Sequence, residues 1–265
     1  PRQPGTLPVP HAHRALLRSG AEVVVCGRRA PDRPVSVRDG EGPGDGEGSG
    51  SGDAEGVRSA RYLPLDVRDP AAAEELCARI AREHGSLDVL VNNAGGTPFR
   101  YAAEGAAAQH ARVIELNLLA PLHLSRAAHA VMRAQEGGGS IVMVGSVSGT
   151  RPSPGTAAYG AAKAGLDNLA RSLAVEWAGD GVRVNTLVLG MVRTELTQLH
   201  YGDEDGVDAV SRTVPLGRLA DPEEVGDACV FLSSPSARYI TGASLAVHGG
   251  GERPAFLDAA NVNRP

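Results

Sequence analysis

The chain has 265 residues, a formal net charge of −5 and three cysteines. It carries no basic stripe with interleaved aromatic residues, so the composition speaks against nucleic acid as a partner. No apolar run approaches the ~20 residues that span a bilayer, and the first residues do not resemble a signal peptide, so we expect no membrane association.

The cysteines and histidines indicate neither a disulfide framework nor a metal site. Cys26, Cys77 and Cys229 are odd in number, widely spaced and set in apolar stretches. The eight histidines lack a ligand spacing such as HExxH. We therefore expect buried, reduced thiols, a cytoplasmic location and no bound metal.

The N-terminal part of the chain contains two stretches that are poor in regular structure. Residues 1–13 are expected to be irregular, because four prolines among the first ten residues remove main-chain donors that a central strand needs. A helix over residues 11–19 and a strand over 22–26 follow. The acidic, glycine-rich tract at residues 39–56 has almost nothing to bury, so we expect a disordered surface insertion between two strands.

Strands then alternate with helices. Strands are predicted at residues 61–65, 87–91, 140–144, 183–189 and 244–247, and helices at 70–84, 106–134, 157–177 and 222–232, with short helices within 190–219. Asn117 and Pro121 indicate an irregularity inside the second of these helices. The alternation predicts an α/β fold with a doubly wound, mostly parallel sheet, in one domain over residues 14–251 with a tail at 252–265.

Polar residues follow the predicted strands where a ligand site is expected. In doubly wound sheets that site lies beyond the carboxyl ends of the strands. The residues at these positions are Arg28 and Arg29, Asp66, Asn92 to Gly96, Ser146, and Gly190. Each alone could be only a turn or a helix cap, but their joint placement favours a site.

Tyr159 and Lys163 are four residues apart on a predicted helix, so a phenol and an ammonium share one face. A positive charge beside a tyrosine favours the phenolate and lowers its pKa, which would make the pair a general acid–base centre. The alternative is a chance pair on a solvated face.

Together these motifs resemble those of a short-chain dehydrogenase/reductase of the compact, single-domain kind, from about Arg14 to Gly251. The motifs that carry the resemblance are Asn92-Asn-Ala-Gly95, Asn117, Ser146 thirteen residues before Tyr159, Tyr159-x-x-x-Lys163, Asn185, Gly190-x-x-x-Thr194, and the final Tyr239-Ile-Thr-Gly-Ala-Ser-Leu-x-Val-x-Gly-Gly.

The resemblance implies a role for each matching residue. Tyr159 would be the acid or base, Ser146 would hold the substrate oxygen, and Lys163 would lower the pKa of Tyr159 and bind the nicotinamide ribose. Asn117 would support a water chain that leads protons to Lys163. The residues implied in cofactor binding are Arg28, Asp66, Val67, Asn93, Ala94, Gly95, Tyr159, Lys163, Gly190, Val192 and Thr194.

The resemblance also implies the kinds of ligand and partner. The substrate would be a small ketone or alcohol; a 3-oxoacyl thioester, a steroid and a polyketide-like ketone are all admissible. Arg28 and Arg29 stand where members that prefer NAD carry an acid, and an arginine fork suits a 2′-phosphate, so NADP(H) is favoured over NAD(H). The alternative is that both arginines are merely solvated. A homo-oligomer, dimer or tetramer, would form through the two long alanine-rich helices.

One family element is missing from this sequence. The first strand and its Thr-Gly-x-x-x-Gly-x-Gly turn, which let the backbone approach a pyrophosphate, have no counterpart in residues 1–13. We hypothesise a truncated or mis-framed N-terminus, and expect a sheet without its central first strand and weak dinucleotide binding. The competing interpretation is a catalytically silent member that serves as an oligomer subunit or binding protein.

Overall fold

The computed structural model describes residues 10–31, 35–38, 57–194, 197–252 and 254. Residues 1–9, the glycine-rich tract at 39–56 and most of the tail after 252 lie outside these residues, so the predictions made for them stay predictions. None of the described helices is both long enough and apolar enough to cross a membrane.

The order of elements follows the predicted alternation. The helices are α1 (Pro10–Arg18), α2 (Pro70–His84), α3 (Ala107–Ile114), α4 (Ala120–Met132), α5 (Ala157–Trp177), α6 (Thr197–Tyr201), α7 (Glu204–Ser211) and α8 (Pro222–Ser233). The strands are β1 (Val24–Gly27), β2 (Ser36–Arg38), β3 (Val57–Ser59), β4 (Arg61–Pro64), β5 (Val89–Asn92), β6 (Gly139–Val144), β7 (Val182–Leu189) and β8 (Ser244–Val247). A π-helical segment, Glu115–Leu119, joins α3 to α4, where the sequence predicted an irregularity.

The main sheet is parallel. Its four strands lie in the order β5-β6-β7-β8, and β1 pairs with β4 in a second parallel sheet of two strands. Helices follow the strands, so the prediction of an α/β fold is confirmed. The antiparallel hairpin β2-β3 was not predicted. Strands of three residues are too short for periodicity to reveal.

The parallel strands are divided into two sheets where the sequence analysis expected a central strand to be missing. Within the described residues, β1 pairs only with β4 and β5 pairs only with β6. β6 and β7 are almost wholly buried, whereas most of β1 and β5 is only partly buried. Cys26 of β1 and Leu90 of β5 nevertheless pack against one shared core. The two sheets are therefore held together by side-chain packing, and each has an edge without ladder bonds.

The core lies on both faces of β6 and β7. Alternate residues of β6 point to opposite faces, as the two-residue period of a strand requires. Ile141 and Met143 pack among residues of α2, α4 and α5, while Val142 and Val144 pack against α8. A strand buried on both faces must be apolar throughout, which explains why these strands were visible in the sequence as continuous apolar runs.

The ends of α2 follow from three residues. The Asp69 carboxylate accepts hydrogen bonds from the amides of Ala71 and Ala72, at 3.0 and 3.1 Å. Pro70 occupies the first helical position, where a missing N–H costs nothing. Gly85 ends the helix in the left-handed region at φ 84°, which favours glycine. The predicted start and end of this helix are confirmed.

The C-terminal ends of α4 and α5 are joined by a stacked pair of rings. The rings of His129 and Trp177 lie 4.2 Å apart between centroids and 11° from parallel. The Nε2 atom of His129 also lies 2.7 Å from an Asp180 carboxylate oxygen. The stacking and the hydrogen bond hold the C-terminal end of α5 in place. The same helix carries Tyr159 and Lys163.

We predict that His129→Ala lowers the free energy of unfolding by about 1–3 kcal/mol, because it removes both the stacking contact and the hydrogen bond. Urea unfolding followed by circular dichroism measures the change. The matched control is Arg126→Ala, which truncates an exposed side chain of the same helix. Equal losses in the two variants would contradict the prediction.

Candidate active site

Ser146 and Tyr159 are brought together at the carboxyl end of β6. Ser146 follows that strand and caps a short 3-10 turn, with its Oγ accepting a hydrogen bond of 3.1 Å from the amide of Ser148. The Ser146 side chain lies close enough to the Tyr159 hydroxyl to lower the pKa of Tyr159 by hydrogen bonding. The spacing of thirteen residues thus spans a turn, a loop and the first residues of α5.

Two glycines allow the turn after Ser146 to lie directly on α5. A Cβ atom on Gly149 would stand 2.7 Å from the amide nitrogen of Ala164, and one on Gly160 would stand 2.8 Å from the Ser148 carbonyl oxygen. Real Cβ atoms do not make contacts this short with backbone. The close approach of turn and helix therefore depends on both glycines.

Lys163 lies beneath this pair. Its side chain is 4% exposed. Its Nζ atom donates a hydrogen bond of 2.6 Å to the Val144 carbonyl oxygen and lies 5.6 Å from the centroid of the Tyr159 ring. The lysine is therefore buried in the site, and the alternative of a solvated helix face does not apply.

Burial controls the protonation of both groups. It raises the pKa of Tyr159; the hydrogen bond from Ser146 lowers it in part, and the nearby Tyr201 raises it further. Burial lowers the pKa of Lys163 to about 8. The expectation that Lys163 lowers the pKa of Tyr159 stays a prediction; in this structure burial is the largest influence on Tyr159, and the Lys163 ammonium faces the Val144 carbonyl.

The Asn117 side chain clamps the turn that follows β5. Asn117 is fully buried in the π-helical segment. Its amide nitrogen donates to the carbonyls of Gly96 and Val113, both at 2.9 Å, and its Oδ1 accepts from the amide of Gly96 at 2.9 Å. Gly96 has φ 131°, which favours glycine. The side chain is thus occupied by the backbone, a role the sequence pattern did not reveal.

Gly95 lies between Asn117 and Lys163. A Cβ atom on Gly95 would stand 2.7 Å from the Asn117 Oδ1 and 3.4 Å from the Lys163 Nζ. The structure therefore brings three of the predicted site residues together. The Asn117 and Lys163 side chains occupy the space beside the Gly95 main chain, so only glycine fits at this position.

Asn92, Asn93 and Ala94, which precede Gly95, have different surroundings. The amide nitrogen of Asn92 donates to the Ser125 hydroxyl at 2.9 Å, which ties β5 to α4. The amide nitrogen of Asn93 is buried and has no hydrogen-bond partner within the described residues. Ala94 packs against the core. Buried hydrogen-bond donors without a partner are rare in proteins, so the Asn93 side chain is a candidate to donate a hydrogen bond to a ligand.

Arg28 and Asp66 stand together at the ends of β1 and β4. Arg68 makes hydrogen bonds of 2.9 and 2.6 Å to the two carboxylate oxygens of Asp66. This pairing holds the pKa of Asp66 at about 2, and the charge of Arg28 contributes to the lowering. The side chain of Val67 is buried in the core, so only its main chain can contact a ligand.

Gly190, Val192 and Thr194 lie after β7, at the same edge of the main sheet as Ser146. A Cβ atom on Gly190 would stand 2.8 Å from the His248 Cβ. Val192 pairs with Ala220 in an isolated bridge, and the amide of Thr194 donates to the Thr197 hydroxyl at 2.7 Å. The segment thus has a defined path along the ends of β7 and β8.

A nicotinamide dinucleotide fits part of this site. The buried amide nitrogen of Asn93, which lacks a partner within the described residues, suits a ligand that carries oxygen acceptors. The described residues 10–31 contain no glycine-rich turn after a strand, so this part of the chain offers no cradle for the pyrophosphate.

Comparisons with known proteins bear on the family of this chain. A family model described as enoyl-(acyl carrier protein) reductase matches residues 49–252. A tropinone reductase homolog of Arabidopsis thaliana is 32% identical over 235 residues, which cover 89% of this chain and 84% of the relative. The 3-oxoacyl-(acyl-carrier-protein) reductase of Escherichia coli strain K12 is 40% identical over 194 residues, 72% of this chain and 78% of the relative.

Solved structures lead to the same family. A chain from Sinorhizobium meliloti 1021, described as a short-chain alcohol dehydrogenase, superposes with a TM-score of 0.68 at 35% identity, over 73% of this chain and 76% of that one. Relatives that are described as reductases and dehydrogenases do not favour the interpretation as a catalytically silent member. The family match, the identities and the parallel α/β architecture together show that this chain belongs to the short-chain dehydrogenase/reductase family of oxidoreductases.

Proposed function

We propose that this chain interconverts a ketone and an alcohol with a nicotinamide cofactor, and that Tyr159 is its acid and base. The observation that carries the proposal is the buried Lys163 ammonium 5.6 Å from the centroid of the Tyr159 ring, with Ser146 acting on the same phenol. When bound, the nicotinamide would supply or accept the hydride at the carbon centre. The residues of this chain handle the proton and hold the substrate oxygen.

In the reductive direction, the Tyr159 hydroxyl gives its proton to the carbonyl oxygen as the adjacent carbon gains a hydride. Ser146 donates a hydrogen bond to the same oxygen and so stabilises the charge that develops there. The raised pKa of Tyr159 keeps the phenol protonated at neutral pH, which suits an acid better than a base.

The proton that leaves Tyr159 is restored along a path past Lys163. Because the Asn117 side chain is held by Gly96, the group that remains for a water chain is the main-chain carbonyl of Asn117. Pro121 lacks the amide that would bond this carbonyl in a regular α-helix. This supports a proton path that begins at the π-helical segment.

The cofactor would lie along the strand ends, with NADP(H) favoured over NAD(H). Lys163, Gly95 and Asn93 would hold its ribose side, and Gly190, Val192 and Thr194 would face the nicotinamide. Asp66 and the main chain of Val67 would lie near the adenine, with Ala94 in the adjoining turn. Since Arg68 already neutralises Asp66, Arg28 remains available for a 2′-phosphate.

The location and assembly of the protein are further parts of the proposal. Cys26, Cys77 and Cys229 are all free thiols, which supports a cytoplasmic location. An open groove of about 490 Å³ lies between the loop at residues 148–154 and α5, and Gly160, Ala161 and Ala164 are among its lining residues. The small residues of α5 support assembly of a dimer or tetramer through the long helices.

We predict that Tyr159→Phe lowers kcat for ketone reduction by about 10²–10⁴, the usual contribution of a positioned acid. NADPH oxidation with a panel of ketones, at millimolar cofactor, measures the effect. The control is Tyr239→Phe, which removes a hydroxyl from a fully exposed tyrosine. Retained turnover in Tyr159→Phe would exclude Tyr159 as the acid, and no turnover in the unaltered chain would favour the silent interpretation.

We also predict that NADPH binds this polypeptide more weakly than micromolar, since residues 1–13 lack the glycine-rich turn.

Arg28→Ala should weaken NADPH binding about 10-fold, because it removes a charged partner of the 2′-phosphate, and should leave NADH binding unchanged. Calorimetric titration at high ligand concentration measures both, with Arg126→Ala as the control. Micromolar affinity, or equal effects on the two dinucleotides, would contradict the prediction.

A further inference from the structure

The loop that follows β5 lies across the turn that leads into α5. Phe99 of this loop packs directly on Gly155, because a Cβ atom on Gly155 would overlap three carbon atoms of the Phe99 ring. The next amide along the loop, that of Arg100, donates a hydrogen bond of 2.7 Å to the Gly155 carbonyl. The loop and the turn are thus joined by a ring contact and by a main-chain hydrogen bond.

The Phe99 ring lies at the surface rather than in the core. It is 65% exposed, and it meets the half-exposed ring of Tyr101 edge to face, at 5.4 Å between centroids and an angle of 78°. Because most of the ring stays in water, its contact with Gly155 stabilises the loop and the turn locally more than it stabilises the whole fold.

The first turn of α5 carries Tyr159 and begins at Thr156. Within the described part of the chain, the side chain of this N-cap residue makes no hydrogen bond to the amides of the helix. Its hydroxyl lies 2.5 Å from the Ser153 hydroxyl instead. A helix that starts without a side-chain cap is less stable at that end. The position of Tyr159, the third residue of α5, therefore depends on what holds the preceding turn.

Gly155 is the residue at which the chain turns into α5. Its φ of 75° lies in the left-handed region that favours glycine. Glycine also has no side chain to restrict its φ and ψ angles, so the turn can change conformation easily at this position. The Phe99 ring, which fills the space where a side chain would stand, and the hydrogen bond from Arg100 both restrict this freedom.

The other end of the loop is held as well. Gly96 exchanges two hydrogen bonds of 2.9 Å with the buried Asn117 side chain. Residues 96–100 therefore connect the π-helical segment to the turn before α5. Through this connection the turn that precedes Tyr159 is tied to the buried part of the site.

We propose that Phe99 is a positioning residue for Tyr159: by packing on Gly155, it holds the first turn of α5 where the phenol can reach a substrate oxygen. Phe99 acts through the turn and does not have to touch the substrate. The inference rests on the proposed reductase function, in which Tyr159 is the acid, and it adds to that function a residue outside the sequence motifs of the site.

The kinetic test uses Phe99→Ala, millimolar NADPH and whichever of ethyl acetoacetate, cyclohexanone and acetophenone the unaltered chain reduces fastest. We expect kcat to fall about 10-fold and KM to change less than about 2-fold, because a misplaced acid affects the transition state more than the bound substrate. Phe99→Tyr keeps the ring on Gly155 and should restore most of kcat. The matched control is Tyr239→Ala, which truncates a fully exposed aromatic side chain.

Hydrogen exchange tests the same contact without turnover. In Phe99→Ala, the amides of Arg100 and Gly160 should exchange about 10-fold faster, because both are hydrogen-bonded to the turn at residues 155–156. The amides of α8 should exchange as in the unaltered chain, and Tyr239→Ala should change neither set.

A second variant tests whether Phe99 acts through Gly155. In Gly155→Ala the new Cβ atom would displace the Phe99 ring. The losses of kcat in Gly155→Ala and Phe99→Ala should therefore not add in the double variant. Additive losses would show that the two residues act independently and would overturn the inference.

The remaining outcomes also contradict the inference. Unchanged exchange in Phe99→Ala would show that the ring does not hold the turn, and faster exchange with unchanged kcat would show that the turn does not position Tyr159. An equal loss of kcat in Phe99→Tyr would show that the ring contact is not what matters. No turnover of any of the three ketones by the unaltered chain would refute the proposed function and the catalytic part of the inference, while exchange would still report the contact.

Discussion

The buried ammonium of Lys163 is the constraint on which the rest of the site depends. Burying a charged lysine is unfavourable unless polar groups surround it. Here one hydrogen bond goes to the Val144 carbonyl, and the remaining contacts come from elements that converge at the strand ends. The Gly95 main chain and the Tyr159 ring both lie close to the ammonium, and only glycine fits at position 95.

The same burial shifts the pKa values of Tyr159 and Lys163 in opposite directions. Removing water raises the pKa of Tyr159 and lowers that of Lys163 to about 8, so the phenol stays protonated and the ammonium gives up its proton more readily than an exposed lysine would. A protonated phenol beside Ser146 suits the role of acid that we propose for Tyr159.

The parts of the structure that could be predicted from sequence are those that local patterns encode. The Asp69-Pro70 start of α2, the apolar runs of β6 and β7, and the Tyr159–Lys163 spacing each express a rule that acts within a few residues. The remaining features depend on tertiary contacts. That Asn117 holds Gly96 and that burial raises the pKa of Tyr159 both depend on elements far apart in the chain. The division of the parallel strands into two sheets was expected only from a missing motif.

The most direct test of this account is the pH dependence of stability in the cofactor-free protein, compared with Lys163→Met. Below pH 8 the lysine is charged in both folded and unfolded chains, and the folded chain bears the full cost of burying it. Between about 8 and the ordinary 10.5, only the unfolded chain retains the proton, so the free energy of unfolding should rise by about 3 kcal/mol relative to the variant. Parallel stability curves for the two proteins across this range would show that Lys163 is solvated, and would contradict the account.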